Sequence, residues 1–102
     1  MDAKMLIHPG EILKEEFLDP YGMNANQLAL ALDVPPNRIT SIINGDRGIS
    51  AESAVLFAHA FGTAPEFWLN LQARYDLDVA SNEVSPERIR RADKLARDLH
   101  AV

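Results

Sequence analysis

The chain has 102 residues, with 15 acidic and ten basic side chains and no cysteine, and these counts narrow the classes of protein it can belong to. A chain of this length supports one domain with a small core, and without cysteine it forms neither disulfides nor thiolate metal sites. Its histidines are isolated and no apolar run approaches the ~20 residues of a membrane span, so we expect a cytoplasmic protein without metal or cofactor.

The first predicted helix covers residues 9–18, because Pro9 suits the first helical position and Pro20 ends the pattern. Leu13 and Phe17 lie on its inward side. The opposite side carries a row of acids, which are Glu11, Glu15, Glu16 and Asp19. We interpret this row as a solvated face, with a surface for a protein partner as the alternative.

Residues 24–48 form the segment around which the rest of the chain is organised. A helix is predicted over 25–32, where Asn24 is a good N-cap. The apolar stripe of this helix consists of Leu28, Ala29 and Leu32. Asp33 follows where the chain must turn, and Asp tolerates a left-handed backbone better than most residues other than glycine.

A second helix is predicted over 36–44, directly after a proline pair that stops the first helix and presets φ for the next. The inner side of this helix holds Ile39, Ile42 and Ile43. The outer side contains no acid and displays Asn37, Arg38, Thr40, Ser41 and Asn44. Such amide, hydroxyl and guanidinium groups donate to base edges and phosphates. The two helices therefore predict a helix-turn-helix whose second helix enters the DNA major groove.

These residues resemble the phage-repressor-like (XRE) helix-turn-helix family. The matching positions are Leu28, Ala29, Leu32, Val34, Ile39, Ile42, Asn44 and Gly45. Asp33 departs from the usual glycine, and Pro35-Pro36 stands where the family usually has Ser, Thr or Gln. The proline pair removes one polar side chain that related repressors use on bases, so base recognition is expected to rest on three residues of the second helix. These are Asn37, Arg38 and Ser41.

The formal net charge of −5 argues against nonspecific, charge-driven DNA binding, since such domains are usually basic. Binding depends on the local field, however, and residues 37–48 carry Arg38 and Arg47 against Asp46 only. We expect such a protein to need the two half-sites of a dimer for useful affinity. Its acidic faces suit a basic protein partner.

Two further helices are predicted over 51–61 and 65–76. The first has Ser50 as its cap, and its regular apolar stripe consists of Ala54, Phe57, Ala58 and Phe61. The sequence from Thr63 to Glu66 is typical of a capping box that starts the second helix.

The helix over 65–76 is apolar on two sides, which gives it more apolar surface than one small core can cover. One reading is a homodimer interface made by Phe67, Trp68, Leu69, Leu71, Tyr75 and Leu77. The alternative is that the C-terminal segment folds back and covers this surface.

Residues 79–84 are predicted to be a polar connection, followed by a last helix over 85–99. Its apolar stripe consists of Ile89, Ala92, Leu95, Ala96 and Leu99. A lone helix this short is marginal, so it must pack on its own domain, on the other protomer or on a partner. The expected fold is all-α: a five-helix phage-repressor-like helix-turn-helix domain over 1–78, plus a connection and C-terminal amphipathic helix over 79–102.

Three longer blocks resemble the HigA (VapI-like) antitoxin family, namely HPGEILKEEFL, GDRGISAESA and FGTAPEFWLNLQARYDL, which begin at residues 8, 45 and 61. The resemblance implies a homodimer that binds double-stranded operator DNA, represses its own operon and neutralises a small basic, RelE-like toxin that cleaves mRNA. It implies base contacts by Asn37, Arg38 and Ser41, and phosphate contacts by Asn24, Gln27, Thr40, Asn44 and Arg47.

Two other functions remain open from the sequence. The protein could be a repressor of the same class with no toxin partner. It could instead be a protein-interaction adaptor that has lost DNA binding, which the acidic charge and the proline pair would favour. An enzyme is not expected, because the chain offers no Gly-rich phosphate loop, no His-Glu-x-x-His pattern and no Ser/His/Asp spacing.

Overall fold

Six α-helices follow one another in the computed structural model, which describes residues 6–101 and contains no strand among them. The helices are α1 Pro9–Ile12, α2 Ala25–Leu32, α3 Pro36–Ile43, α4 Ala51–Phe61, α5 Pro65–Glu83 and α6 Pro86–His100. The all-α prediction is confirmed. Within residues 6–101, no helix has both the length and the apolar character needed to cross a membrane.

The helix that begins at Pro9 continues as a π-helical segment, Leu13–Leu18, and ends in a 3₁₀ turn, Asp19–Tyr21. Hereafter α1 denotes this whole stretch, residues 9–21. The backbone N–H of Asp19 donates to the carbonyl of Lys14, five residues earlier, which is the bonding pattern of a π-helix. This wider turn lets Leu13 and Leu18 both point into the core, where each is at most 1% exposed.

The core is centred on Trp68, which is completely buried and surrounded by phenylalanine rings. The ring centroids of Phe17, Phe57 and Phe67 lie 4.9, 5.2 and 5.1 Å from that of Trp68. Tilted and edge-to-face pairs at these distances add to the stabilisation that burial provides, by ~0.5–1.5 kcal/mol each. The cluster joins α1, α4 and α5 into one body, on which the helix-turn-helix sits.

Helix α5 is longer than the sequence predicted. It runs without a break to Glu83, so the predicted polar connection over 79–84 is wrong, and only Val84 and Ser85 separate α5 from α6. The capping box predicted at its start is also wrong. The cap residue Ala64 offers no side-chain bond, and the hydroxyl of Thr63 instead accepts a 2.8 Å hydrogen bond from the indole N–H of Trp68.

Helix α6 extends away from the body. Every residue over 80–101 is exposed, so the C-terminal segment does not fold back over α5. The radius of gyration is 17.9 Å, against about 13 Å for a compact domain of this length. The apolar stripe of α6 therefore has no cover within the described part of the chain.

Candidate nucleic-acid interface

The start of α2 and the turn between α2 and α3 form as the sequence predicted. The side-chain oxygen of Asn24 accepts from the N–H of Gln27 and that of Gln27 accepts from the N–H of Asn24, each at 2.8 Å, which fixes the start of α2. Asp33 ends α2 in the left-handed conformation, with φ 58° and ψ 48°. Pro35 is extended, and Pro36 is the first residue of α3.

Helix α3 presents its polar side outward. Ile39 and Ile42 are buried in the core, while Asn37, Thr40 and Asn44 are exposed. The half-buried residues Arg38 and Ser41 lie between these two sides, and Ile43 packs partly against the core. The prediction is therefore confirmed for Ile39 and Ile42 on the inner side and for Asn37, Thr40 and Asn44 on the outer side, whereas Arg38 and Ser41 are less exposed than predicted.

The position of α3 depends on a close approach by α1. A Cβ atom added to Gly10 would lie 1.9 Å from the carbonyl oxygen of Ile42 and 2.9 Å from Cα of Ile43. No side chain fits there, so glycine allows the backbone of α1 to touch the C-terminal end of α3. Sequence reasoning missed this role of Gly10 because its contact is made across the fold.

His8 caps the start of α1 and packs it against α5. Its ring nitrogen Nδ1 accepts from the N–H of Gly10 at 2.9 Å, and its ring meets that of Tyr75 on α5 edge-on, with centroids 4.8 Å apart. Burial lowers the pKa of His8 below its usual value, although the nearby carboxylates of Glu11 and Asp76 act in the opposite direction. The imidazole therefore favours its neutral form, which can accept the hydrogen bond from Gly10.

The loop after α3 is held by a residue that sequence reasoning also missed. The carbonyl of Ser41 accepts from the N–H groups of Asp46 and Arg47, at 2.8 and 3.2 Å. The side-chain oxygen of Gln72 on α5 accepts from the N–H of Ile49 at 2.7 Å. Helix α5 thereby fixes the loop that carries Arg47, whose side chain is exposed and forms no ion pair within residues 6–101.

Arg38 is not free in this structure. Its Nη1 atom donates to Oε1 of Glu52 in the first turn of α4 at 3.0 Å, and its side chain is 24% exposed, against 69% for Glu52. The pair joins the helix expected to read bases to the helix that follows it. No sequence pattern predicted this contact, because fourteen residues separate the partners.

Most of the side chains expected to contact phosphates keep donors available, and Thr40 is the exception. Asn24 and Gln27 use their oxygens in the cap, and their NH₂ groups have no partner among the described residues. Thr40 donates its hydroxyl to the carbonyl of Pro36 at 3.2 Å, while Asn44 is exposed at the end of α3. Asn24, Gln27 and Asn44 can thus donate to a DNA backbone as they stand, whereas Thr40 would have to exchange its bond to Pro36 for one to a phosphate.

The dimer interface predicted on α5 loses one member. Trp68 is 0% exposed within its own chain, so it has no surface to offer a second copy, and its inclusion was wrong. Leu71 and Tyr75 are half-buried against the body. Phe67 is 39% exposed, Leu69 37% and Leu77 64%, so these three keep apolar surface that another molecule could cover.

The chain is similar to known helix-turn-helix proteins. The helix-turn-helix family HTH_3 matches residues 13–68. Virulence-associated protein I of Dichelobacter nodosus is 48% identical over 77 residues, which cover 76% of this chain and 71% of that protein. Antitoxin HigA-1 of Vibrio cholerae is 42% identical over 78 residues, which cover 76% of this chain and 73% of the antitoxin.

A solved structure with a similar fold contains DNA. It is the complex of PA4674 of Pseudomonas aeruginosa with its 18-bp operator, and the PA4674 chain is 36% identical to this one. The superposition has a TM-score of 0.81 and covers 87% of this chain and 96% of that one. The similarity therefore extends beyond the helix-turn-helix to most of the fold.

Proposed function

This chain belongs to the helix-turn-helix family HTH_3, and on that premise we propose that it is an antitoxin that binds operator DNA as a dimer. In this role it represses its own operon and neutralises a RelE-like toxin that cleaves mRNA. Antitoxin HigA-1 and the operator complex of PA4674 support this proposal, since both resemble the chain over most of its length. The proposal gives the protein no catalytic activity of its own.

The observation that carries the proposal is the outward polar side of α3. Asn37, Arg38 and Ser41 are the base-reading residues, because an amide, a guanidinium and a hydroxyl can each pair with acceptors in the major groove. No carboxylate lies on α3 itself, so phosphates are not repelled at the point of contact. In a dimer, two such helices one helical turn apart, ~34 Å, would read a palindrome.

Contacts to phosphates would position the helix. The unused NH₂ groups of Asn24 and Gln27 lie at the start of α2, where unpaired backbone N–H groups also attract anions. Thr40, Asn44 and Arg47 complete the set from α3 and its following loop. These contacts supply affinity without sequence information, so operator binding should weaken with salt at a slope near −0.9 per phosphate contacted.

The toxin would bind through charge of the opposite sign. Residues 6–84 carry eleven carboxylates against four basic side chains, so the body of the protein is strongly acidic. Most of these acids lie away from the outer side of α3, for example on the exposed row of α1. A small basic protein fits such a surface and would be drawn to it at long range.

The testing experiment is a gel shift of the purified protein on the DNA upstream of its own gene, with and without the product of the neighbouring gene. A shift at low salt that the basic neighbour alters is the expected result. A shift that no neighbouring protein alters would favour a repressor without a toxin. No shift at low salt would favour an adaptor and overturn the DNA-binding proposal.

Variants of α3 test which residues read the operator. Arg38→Ala should weaken operator binding by ~1–3 kcal/mol and relax preference at one base pair, and Asn37→Ala should act in the same direction. Asn70→Ala is the matched control, since Asn70 is exposed on α5 rather than on α3. Unchanged binding by both α3 variants would refute this assignment.

A further inference from the structure

The C-terminal helix α6 has a stripe of apolar residues that no other residue between 6 and 101 covers. Ile89 is 48% exposed, Leu95 57% and Leu99 68%, and helical spacing places all three on one side. A lone helix of fifteen residues is marginal in water and gains most of its stability from packing its apolar face. Contact with a surface outside its own domain would therefore stabilise α6.

Basic side chains border this stripe. The 3.6-residue period puts Arg88 and Arg91 beside the apolar side of α6, and neither forms an ion pair with another residue in the described part of the chain. Arg90 and Lys94 lie on the opposite side and are paired within α6, to Glu87 at 2.9 Å and to Asp98 at 3.0 Å. Arg97 also forms no ion pair among the described residues but lies on the opposite side, so Arg88 and Arg91 are the two unpaired basic side chains that a surface docked on the stripe would meet.

The outward side of α5 has the complementary pattern. The side of α5 that faces away from Trp68 displays an exposed apolar row, Leu69, Ala73, Leu77, Ala80 and Val84. The same period places carboxylates along this row, those of Glu66, Asp76 and Glu83. An apolar row bordered by acids fits an apolar stripe bordered by arginines.

We propose that α6 docks on the outward row of α5 in a second copy of this chain, and that the second copy returns the same contact. This arrangement rests on the dimer of the proposed function and specifies that α5 and α6 form the dimer interface. In a dimer with two-fold symmetry, each copy makes the same contact with the other. It also covers two apolar surfaces at once, both of which are left exposed by the other residues that the structure describes.

Charge favours a second copy over the toxin as the occupant of this stripe. Helix α6 carries five basic and three acidic side chains, whereas residues 6–84 carry four basic and eleven acidic ones. A basic helix is attracted to the acidic body of another copy and repelled by a basic toxin. The toxin would then use other acidic surface, such as the row on α1.

Sedimentation of the full chain tests the contact through a matched pair of variants. Arg88→Glu/Arg91→Glu reverses the two charges beside the stripe, and Arg90→Glu/Arg97→Glu makes the same change in net charge on the far side of α6. Because like charges brought together at an interface are strongly unfavourable, the first variant should raise the dimer dissociation constant at least about tenfold more than the second. Circular dichroism should give both variants the same helical content.

A mixing experiment checks the named acids. Glu66→Lys/Glu83→Lys should also dimerise poorly alone, because its α5 would repel α6. When this variant is mixed with Arg88→Glu/Arg91→Glu, both reciprocal contacts regain opposite charges, so heterodimers should form with near wild-type affinity. Equal dimerisation of the two α6 variants, a wild-type chain that stays monomeric, or no recovery on mixing would each overturn the proposal.

The operator gel shift separates this proposal from the proposed function. If the wild type dimerises through α6 but does not shift operator DNA, the function fails and the interface stands. If the wild type shifts DNA and Arg88→Glu/Arg91→Glu dimerises normally, the interface fails and the function stands.

Discussion

The ion pair between Arg38 and Glu52 determines what it would cost Arg38 to contact DNA. In the free protein, the guanidinium already has a carboxylate partner 3.0 Å away. Base or phosphate contact by Arg38 must therefore replace or share that partner. Glu52 is more than two-thirds exposed, so the pair is worth at most ~1 kcal/mol, which leaves the exchange easy to drive.

Glu52→Gln should tighten operator binding, because it removes both the competing partner of Arg38 and a negative charge near the DNA. The gain should be at most about fivefold, the equivalent of the ~1 kcal/mol that such an exposed pair can supply. Titration of the operator by fluorescence anisotropy measures it.

Glu15→Gln is the control, since it makes the same charge change on the exposed row of α1. In an Arg38→Ala background, Glu52→Gln should have a smaller effect, because the substitution then only removes a negative charge near the DNA and no longer releases Arg38. An equal gain in both backgrounds would contradict a role for the pair.

Gly10→Ala should destabilise the protein, although alanine is the better helix former. The added Cβ would lie 1.9 Å from the carbonyl oxygen of Ile42, so the backbones of α1 and α3 would have to separate. Overpacking of this kind costs ~1–3 kcal/mol. Urea unfolding followed by circular dichroism measures the loss, and an unchanged midpoint would contradict the close approach.

At the level of elements, the helix-turn-helix could be predicted from local signals. The cap at Asn24, the left-handed residue Asp33 and the start at Pro36 each act within a few residues, and all three appear in the structure as predicted. The spacing of Ile39 and Ile42 then determines which side of α3 faces outward. Local chemistry specified this part of the site.

The length of α5 was missed because its last turns lack an apolar period. Residues 79–83 are mostly small and polar, which suggested a connection. The stop signal lies later, at Pro86, which biases Ser85 towards an extended backbone and so ends the helix just before it. Without a breaker before that point, α5 simply continues.

The supporting contacts of the site were missed for a different reason. Glu52 lies 14 residues from Arg38, and Gln72 lies 23 residues from Ile49. No periodicity in the sequence connects such pairs, because the fold alone brings them together. Sequence reasoning could therefore identify the side chains proposed to contact DNA, but not the residues that hold them in place.

Gln72→Ala should loosen the loop after α3 without unfolding α5. The N–H of Ile49 would lose its acceptor, which should cost about 1 kcal/mol. The amide of Ile49 should exchange with solvent faster, and operator binding should weaken as Arg47 becomes less well positioned. Asn70→Ala is the control on the same helix, and unaltered exchange at Ile49 would argue against the bond.

For the whole molecule, His8 connects stability to pH. It lies where α1 begins, its ring contacts that of Tyr75 on α5, and a Cβ atom added to Gly45, in the loop after α3, would lie 3.9 Å from the ring. Burial lowers its pKa in the folded state below the 6.5 of an ordinary histidine. The unfolded state thus binds more protons between the two values, so stability rises with pH across that range.

We expect this contribution to be fully present above the unfolded pKa and to be lost as the pH falls towards the folded one. Urea unfolding at about pH 7.5 and about pH 5.5 measures the difference, which includes carboxylate titration near the lower value. His8→Asn keeps a side-chain acceptor for Gly10 but cannot titrate, so it should retain only the carboxylate part. An equal pH dependence in the two proteins would exclude His8 as the source.

Trp68 also gives the molecule a built-in optical probe. It is the chain's only tryptophan, is completely buried among the phenylalanines of the body, and lies on the side of α5 opposite the row on which α6 is proposed to dock. Its emission should therefore shift when the body melts and should stay constant when two copies merely separate. Fluorescence on dilution and fluorescence in denaturant can thus distinguish dissociation from unfolding without any label.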